Sequence, residues 1–204
     1  MRITWLAIKE IHLKSLNPQF ANCEFSILSG MKTPIMKPQD ILVLAKIVAM
    51  GQNPWMGQDL AAELYISKSE ISESLNRSKY ARLLDFSKQK VNSAAFFEFL
   101  AHGIRYVYPA ITKGRQRGFL TAFSAAPLNK KIASKTAIVW ASENGTALGE
   151  SIEPLYHTVG QAIQKDKAFY EIMSLIEAIR IGRVREIELA KNELKTRLQN
   201  YALQ

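Results

Sequence analysis

Residues 57–79 read Gly-Gln-Asp-Leu-Ala-Ala-Glu-Leu-Tyr-Ile-Ser-Lys-Ser-Glu-Ile-Ser-Glu-Ser-Leu-Asn-Arg-Ser-Lys. This stretch restricts the fold more than any other. It spaces two short helices, about Gln58–Leu64 and Lys68–Lys79, with almost no loop between them. Helices joined so tightly cross at a steep angle and need a small residue at the crossing, which Ala61 supplies. Leu60, Leu64, Ile66, Ile71 and Leu75 recur at the positions that anchor such a corner to a core. Ser67 with Glu70 three residues on is a capping box, the start signal of the second helix.

The second helix carries its polar residues on the other side. Ser67, Lys68, Ser69, Ser72, Glu73, Asn76 and Arg77 form an outward set. A helix presented in this way can enter the major groove of DNA. There asparagine bonds adenine, arginine bonds guanine or phosphate, serine is a permissive reader, and glutamate accepts from cytosine. Tyr65 stands in the turn where glycine is usual. A left-handed backbone there would carry strain with a bulky side chain.

The surrounding elements fit this reading. Pro38 opens a helix over 38–50, with Ile41, Leu42, Ala45, Val48 and Ala49 at helical spacing and Leu44 and Ile47 widening the stripe. Gly51 to Pro54 stops it, and Trp55 and Met56 are expected to cover the core. Residues 81–91 read as a compact wing or hairpin, with Leu83, Leu84, Phe86 and Val91 on the inner side and Lys88 and Lys90 outside.

The segment Pro38–Lys90 resembles the winged helix-turn-helix domain of MarR-like bacterial transcriptional regulators. The resemblance is carried by Leu60-Ala61, Ile66-Ser67-Lys68-Ser69-Glu70-Ile71-Ser72 and Leu75, with Tyr65 departing at the glycine. It covers about a quarter of the chain, and implies a DNA-binding fold without implying an effector or a target. The C-terminal part, with His102-Gly-Ile-Arg-Tyr-Val-Tyr-Pro109 and Ile179-Arg-Ile-Gly-Arg-Val-Arg-Glu186, resembles an uncharacterised bacterial family.

The expected fold is therefore mainly α with a small β component: an N-terminal extension over 1–36, the winged domain over 37–92, and a C-terminal region over 93–204. Met31 opens Met-Lys-Thr-Pro-Ile-Met-Lys-Pro-Gln-Asp, which reads as a protein start. Residues 1–30 are thus as readily an upstream extension as part of the protein.

Ser93–His102 reads as a helix with Ala94, Ala95, Phe97, Leu100 and Ala101 inward and Gly103 as its stop. Ile104–Tyr108 alternates like a strand. Residues 110–154 give no regular element except a short strand at Ile138–Trp140. Two helices follow. The first, 166–181, buries Phe169, Ile172, Met173, Ile176 and Ile179. The second, 183–201, sets Ile187, Ala190, Leu194, Leu198 and Tyr201 on one face. Joined at Gly182, they form a hairpin or one kinked helix, and the last apolar face closes either the chain's own core or a dimer seam.

Charge sharpens the functional side. The chain carries a net +9, and the excess is uneven: residues 93–140 hold seven basic groups and one acidic. A cationic surface beside a groove-reading helix suits phosphate contacts. Candidate backbone contacts are Lys79, Lys88 and Lys90, with Lys113, Arg115 and Arg117 on a flexible basic loop over 113–118. That loop lacks the Gly-Lys-Ser/Thr ending of a phosphate-binding loop. Tyr106, Tyr108, Phe119 and Phe123 read as core, with stacking on unpaired bases as the alternative.

Other functional classes find little footing. A single cysteine, Cys23, excludes an internal disulfide framework and fits the cytoplasm. Neither a Cys-x-x-C pair nor a His cluster points to zinc, and His12, His102 and His157 lie near no nucleophile motif. No cofactor, metal, catalytic group or membrane span is expected. The expectation is a sequence-specific, double-stranded-DNA-binding regulator acting as a homodimer. The alternative is a protein-interaction module of antitoxin or defence type whose helix-turn-helix autoregulates.

Overall fold

The computed structural model describes residues 34–51 and 53–203, so readings that fall on residues 1–33 lie outside the described part. The described residues from Met36 onward form one compact unit. It is mainly helical with a small three-stranded sheet.

The first helix, α1 (Pro38–Met50), is buried on every side from Gln39 to Val48. The apolar stripe read from the sequence is thus too narrow a description: a helix enclosed all round is the centre of a core. Its N-terminus is closed by Asp40, which accepts from the Lys37 N–H at 2.8 Å. Gly51 ends it at φ 66°, a conformation that favours glycine. Lys46 is buried, and its ammonium lies 2.6 Å from Asp166 and also pairs with Glu63. Burial pulls the Lys46 pKa down, but the two carboxylates outweigh it and hold the group above its ordinary value.

The corner follows as α2 (Gly57–Leu64) and α3 (Lys68–Tyr80). Leu60, Ala61, Leu64, Ile66, Ile71 and Leu75 are all buried. Tyr65 does adopt the left-handed backbone, φ 55° and ψ 41°, and Ile66 N–H donates to the Ala61 carbonyl at 3.1 Å. Trp55 is buried, but Met56 is exposed, contrary to the covering role expected of it.

Residues 81–92 make a tight turn closed by a single bridge, Leu84 to Val91. Leu83, Leu84 and Val91 point inward, whereas Phe86 is 90% exposed, contrary to the burial expected for it. A hairpin with one bridge is too short to give its tip residue an inner side.

From Ser93 the chain is helical through Val107. It runs as α4 (Ser93–Glu98), a π-helical turn (Phe99–Gly103) and α5 (Ile104–Val107), with Asn92 capping the start through its side-chain oxygen. The strand expected at Ile104–Tyr108 is therefore absent, and Gly103 does not stop the helix. The alternation misled because only Ile104 of its aromatic and aliphatic residues is fully enclosed, while Tyr106 is exposed. Phe96, and not Phe97, is the buried phenylalanine.

The basic stretch is a strand and not a flexible loop. β1 (Thr112–Leu120) pairs antiparallel with both β2 (Ile138–Ala141) and β3 (Ala147–Ile152), and these two pair with each other, closing a small barrel. The short strand expected at Ile138–Trp140 is present. Closure depends on glycine. A Cβ on Gly118 would fall 2.0 Å from the Trp140 carbonyl oxygen, and one on Gly145 would fall 2.2 Å from the Gly118 backbone.

A short helix α6 (Val159–Ala162) leads to α7 (Lys167–Ile181) and α8 (Val184–Leu203). These form a hairpin, tied by Arg197 to Glu171 at 2.8 Å. Every apolar residue assigned to their inner faces is buried. The apolar face of α8 therefore closes the chain's own core, and the Tyr201 hydroxyl accepts from the Val91 N–H at 3.0 Å. Within α7, buried Glu177 bonds Arg180 at 2.5 Å and accepts from the Leu155 N–H at 3.0 Å. Burial raises the Glu177 carboxyl, with Arg180 opposing the shift.

Candidate nucleic-acid interface

The outer face of α3 is set by what holds its two ends. At the N-terminus the Ser67 hydroxyl accepts from Glu70 N–H at 3.2 Å, and the Glu70 carboxylate accepts from Ser67 N–H at 3.4 Å, completing the expected capping box. Tyr65 turns the chain so that Ser67 begins a new helix outside the core. Ser67, Lys68, Ser69, Ser72, Glu73 and Asn76 are then exposed. Spaced by three and four, Lys68/Ser69, Ser72/Glu73 and Asn76 share one face.

Arg77 does not belong to that face. It is 7% exposed, and its guanidinium grips Asp40 of α1, which is fully buried. Nη2 lies 2.7 Å from Oδ1, and Nε lies 2.9 Å from Oδ2. These hydrogen bonds keep the guanidinium above its ordinary pKa despite burial. The periodicity could not separate Arg77 from Asn76, since adjacent residues on a helix differ by about 100° and either could lie at the edge of the polar side. The missing signal was Asp40, a lone carboxylate in an apolar helix, which needs a cationic partner when enclosed.

The turn after α3 supplies a cationic flank. Lys90 is exposed, Lys79 and Lys88 are half-buried, and the Lys79 ammonium sits 5.3 Å from the centre of the Phe86 ring. Sequence reasoning did not mark Arg82, which is exposed in the same turn at φ 60°. Nor did it mark Lys165, whose ammonium lies 5.6 Å from the centre of the Tyr65 ring and so brings the C-terminal region to the helix corner.

Asp85 organises the turn. Its Oδ1 accepts from the N–H groups of Gln89 at 2.8 Å and Lys90 at 3.0 Å, and its other oxygen accepts from the Ser87 hydroxyl. Burial pushes the carboxyl up, but these hydrogen bonds outweigh it and hold the group below its ordinary value of 3.8. A depressed folded-state pKa means stability that is complete above the unfolded value and lost as pH falls through the folded one. Amide-exchange protection at Gln89 and Lys90 should therefore fall as pH drops from the ordinary carboxyl value of 3.8 through the lowered folded one. In Asp85→Asn the pH dependence should vanish; unchanged wild-type protection across that window would show that the carboxylate does not hold the turn.

Lys113, Arg115 and Arg117 are exposed, but not free of acidic company. Lys113 lies 3.6 Å from Glu153, Arg115 is in register with Glu150, and Arg117 with Leu148. No hydrogen bond or ion pair among the described residues joins β1 to α3. The structure thus gathers the α3 face with Lys79, Lys88 and Lys90, and leaves the β1 cations on another element.

No group of three His, Cys, Asp or Glu residues placed to hold a metal occurs among the described residues. His102 is exposed 3.6 Å from Glu98, and the His157 ring lies 4.3 Å from that of Tyr156. No described helix is long and apolar enough to cross a membrane. Neither a family model, nor a curated protein, nor a solved structure matches the chain.

Proposed function

We propose that this chain is a sequence-specific, double-stranded-DNA-binding transcriptional regulator of the cytoplasm, working without a cofactor and without catalysis. In this reading α1 to α3 and the turn at 81–92 act as a small winged helix-turn-helix of MarR-like type. The observation that carries it is the outer face of α3: six polar residues held outside the core by a capping box and a left-handed corner, with cations flanking one end. Ser67, Lys68, Ser69, Ser72, Glu73 and Asn76 read bases. Lys79, Lys88, Lys90 and Arg82 neutralise phosphates. The β1 cations, of which Lys113 pairs with Glu153, are secondary. Dimerisation would fit a two-half-site target, but it would need a surface other than the enclosed face of α8.

The test is equilibrium binding to the DNA upstream of its own coding sequence, and to a scrambled duplex, across a salt series. Asn76→Ala should cost about 1–3 kcal/mol on the upstream DNA and little on the scrambled one. Lys90→Ala should weaken both alike and reduce the salt slope by about 1. Equal losses on both duplexes for every α3 substitution would end the claim of base reading.

A second reading, an interaction module of antitoxin or defence type, is favoured by the exposed Tyr106, Val107 and Ile111 around the α5–β1 junction. Co-purification of the product of a neighbouring gene, lost on Tyr106→Ser, would favour it.

A further inference from the structure

We propose that Phe86 is a nucleobase-stacking residue, a role that rests on the DNA-binding reading above. Among the large apolar side chains described, Phe86 is the most exposed, at 90%. An exposed phenylalanine by itself needs no explanation, but this one is held in place. It sits at the tip of the turn that Asp85 closes with its side chain and with its backbone, through Asp85 N–H to the Lys90 carbonyl at 2.9 Å and Lys88 N–H to the Asp85 carbonyl at 3.1 Å. Lys88 adopts a left-handed backbone at φ 61° to complete it. Lys79 from the end of α3 lies over one face of the ring.

The ring also lines a cleft of about 610 Å³, together with Lys79, Arg82, Asp85, Lys90 and Asn92. That volume falls within the roughly 300–1,000 Å³ of small-ligand sites. A phenyl ring offers nothing to a phosphate, yet three of its neighbours do. The combination fits a nucleotide: cations for the backbone and an aromatic face for the base. The Asp85 carboxylate is occupied by its own turn and so adds little repulsion.

The base can come from two sources. It can be an unpaired base, which stacks without further cost. It can also be a base step in a duplex, opened by an inserted apolar wedge. Position favours contact with whatever α3 binds, since only Ala81 to Asp85 separate the end of that helix from Phe86.

The experiment uses the full chain with Phe86→Ala, Phe86→Leu and Phe86→Trp. It measures binding to the upstream duplex, to the same duplex with one bulged adenine, and to one of its single strands, each over a salt series. Because Phe86 is exposed, all three variants should keep the wild-type melting temperature. Alanine should weaken binding about tenfold at every salt concentration with an unchanged salt slope, because stacking is lost and no phosphate contact is. Tryptophan should restore affinity, and leucine should not. Loss on the intact duplex identifies an opened step; loss confined to the bulged duplex or the single strand identifies an unpaired base. A base-replacing 2-aminopurine at the contacted position should be quenched by the wild type and not by Phe86→Ala. If Phe86→Ala binds all three probes as the wild type does, or if leucine restores as well as tryptophan, the stacking role is overturned while DNA binding stands. If the wild type binds no probe, both are overturned.

Discussion

Arg77→Met should lower the stability of the protein by roughly 3–5 kcal/mol, the cost of stranding one member of a buried ion pair. The stranded group is Asp40, fully enclosed and left with only the Lys37 N–H as a donor. Tyr108 packs nearby, its hydroxyl donating to the Met36 carbonyl at 2.7 Å, and its pKa is raised by burial and then by the Asp40 charge. Among the described residues no cation other than Arg77 pairs with Asp40. Asp40→Leu should be less damaging, because the guanidinium keeps the Glu73 carboxylate at 3.5 Å as a partner. The double substitution Asp40→Leu/Arg77→Met should recover most of the loss, since well-packed apolar replacements of buried pairs are often neutral or better. Urea unfolding of the four proteins measures all of this, and the coupling energy follows from the cycle. The same double variant decides the role of Arg77 in recognition. Folded and stable, it should bind the upstream duplex as the wild type does. A stable double variant that has lost specific binding would return Arg77 to the DNA-contacting set.

Legibility followed the length of the repeating pattern. The last two helices were fully readable, because Phe169 to Ile179 and Ile187 to Tyr201 repeat at three and four over several turns, and every one of those residues is buried. The helix corner was readable for a different reason. Its signals are local chemistry, a capping box at Ser67 and a small residue at Ala61, and these act within a few residues of the backbone they shape. Of the barrel only β2 was legible, at Ile138–Trp140. β1 carries Gly-Arg-Gln-Arg-Gly, which has low strand propensity and no apolar alternation, so its strand identity comes only from pairing with segments twenty to forty residues away. Ile104–Tyr108 failed in the opposite direction: β-favouring residues were overruled by a helix already running from Ser93 and packed through Phe96 and Leu100. At the site, exposure of α3 followed from its anchors. The inward turn of Arg77 did not, because its partner lies 37 residues away.

Gly118→Ala should be the most damaging substitution of a surface-rich strand, costing at least about 3 kcal/mol, the upper range for forced overpacking. The added carbon would lie 2.0 Å from the Trp140 carbonyl oxygen and 2.7 Å from its carbon. Both are backbone atoms within the β1–β2 ladder, so no side-chain rotation relieves the clash. Gly114→Ala is the internal control: it lies in the same strand, at the register shift between Lys113 and Arg115, and a Cβ there meets nothing within 4 Å. Its effect should stay within about 0.5 kcal/mol. The damage from Gly118→Ala should spread by a defined route. The Tyr170 hydroxyl donates to the Leu120 carbonyl at 2.5 Å, and its ring lies 6.1 Å from Trp140. Tyr170 belongs to α7, whose cap Asp166 holds Lys46 of the central helix. Near-UV circular dichroism reporting on Trp140, followed alongside far-UV helix signal in urea, should show the barrel lost first in Gly118→Ala and together with the helices in the wild type. Equal stability of Gly118→Ala and Gly114→Ala would mean that β1 does not pass this close to β2, and the three-stranded closure would have to be redrawn.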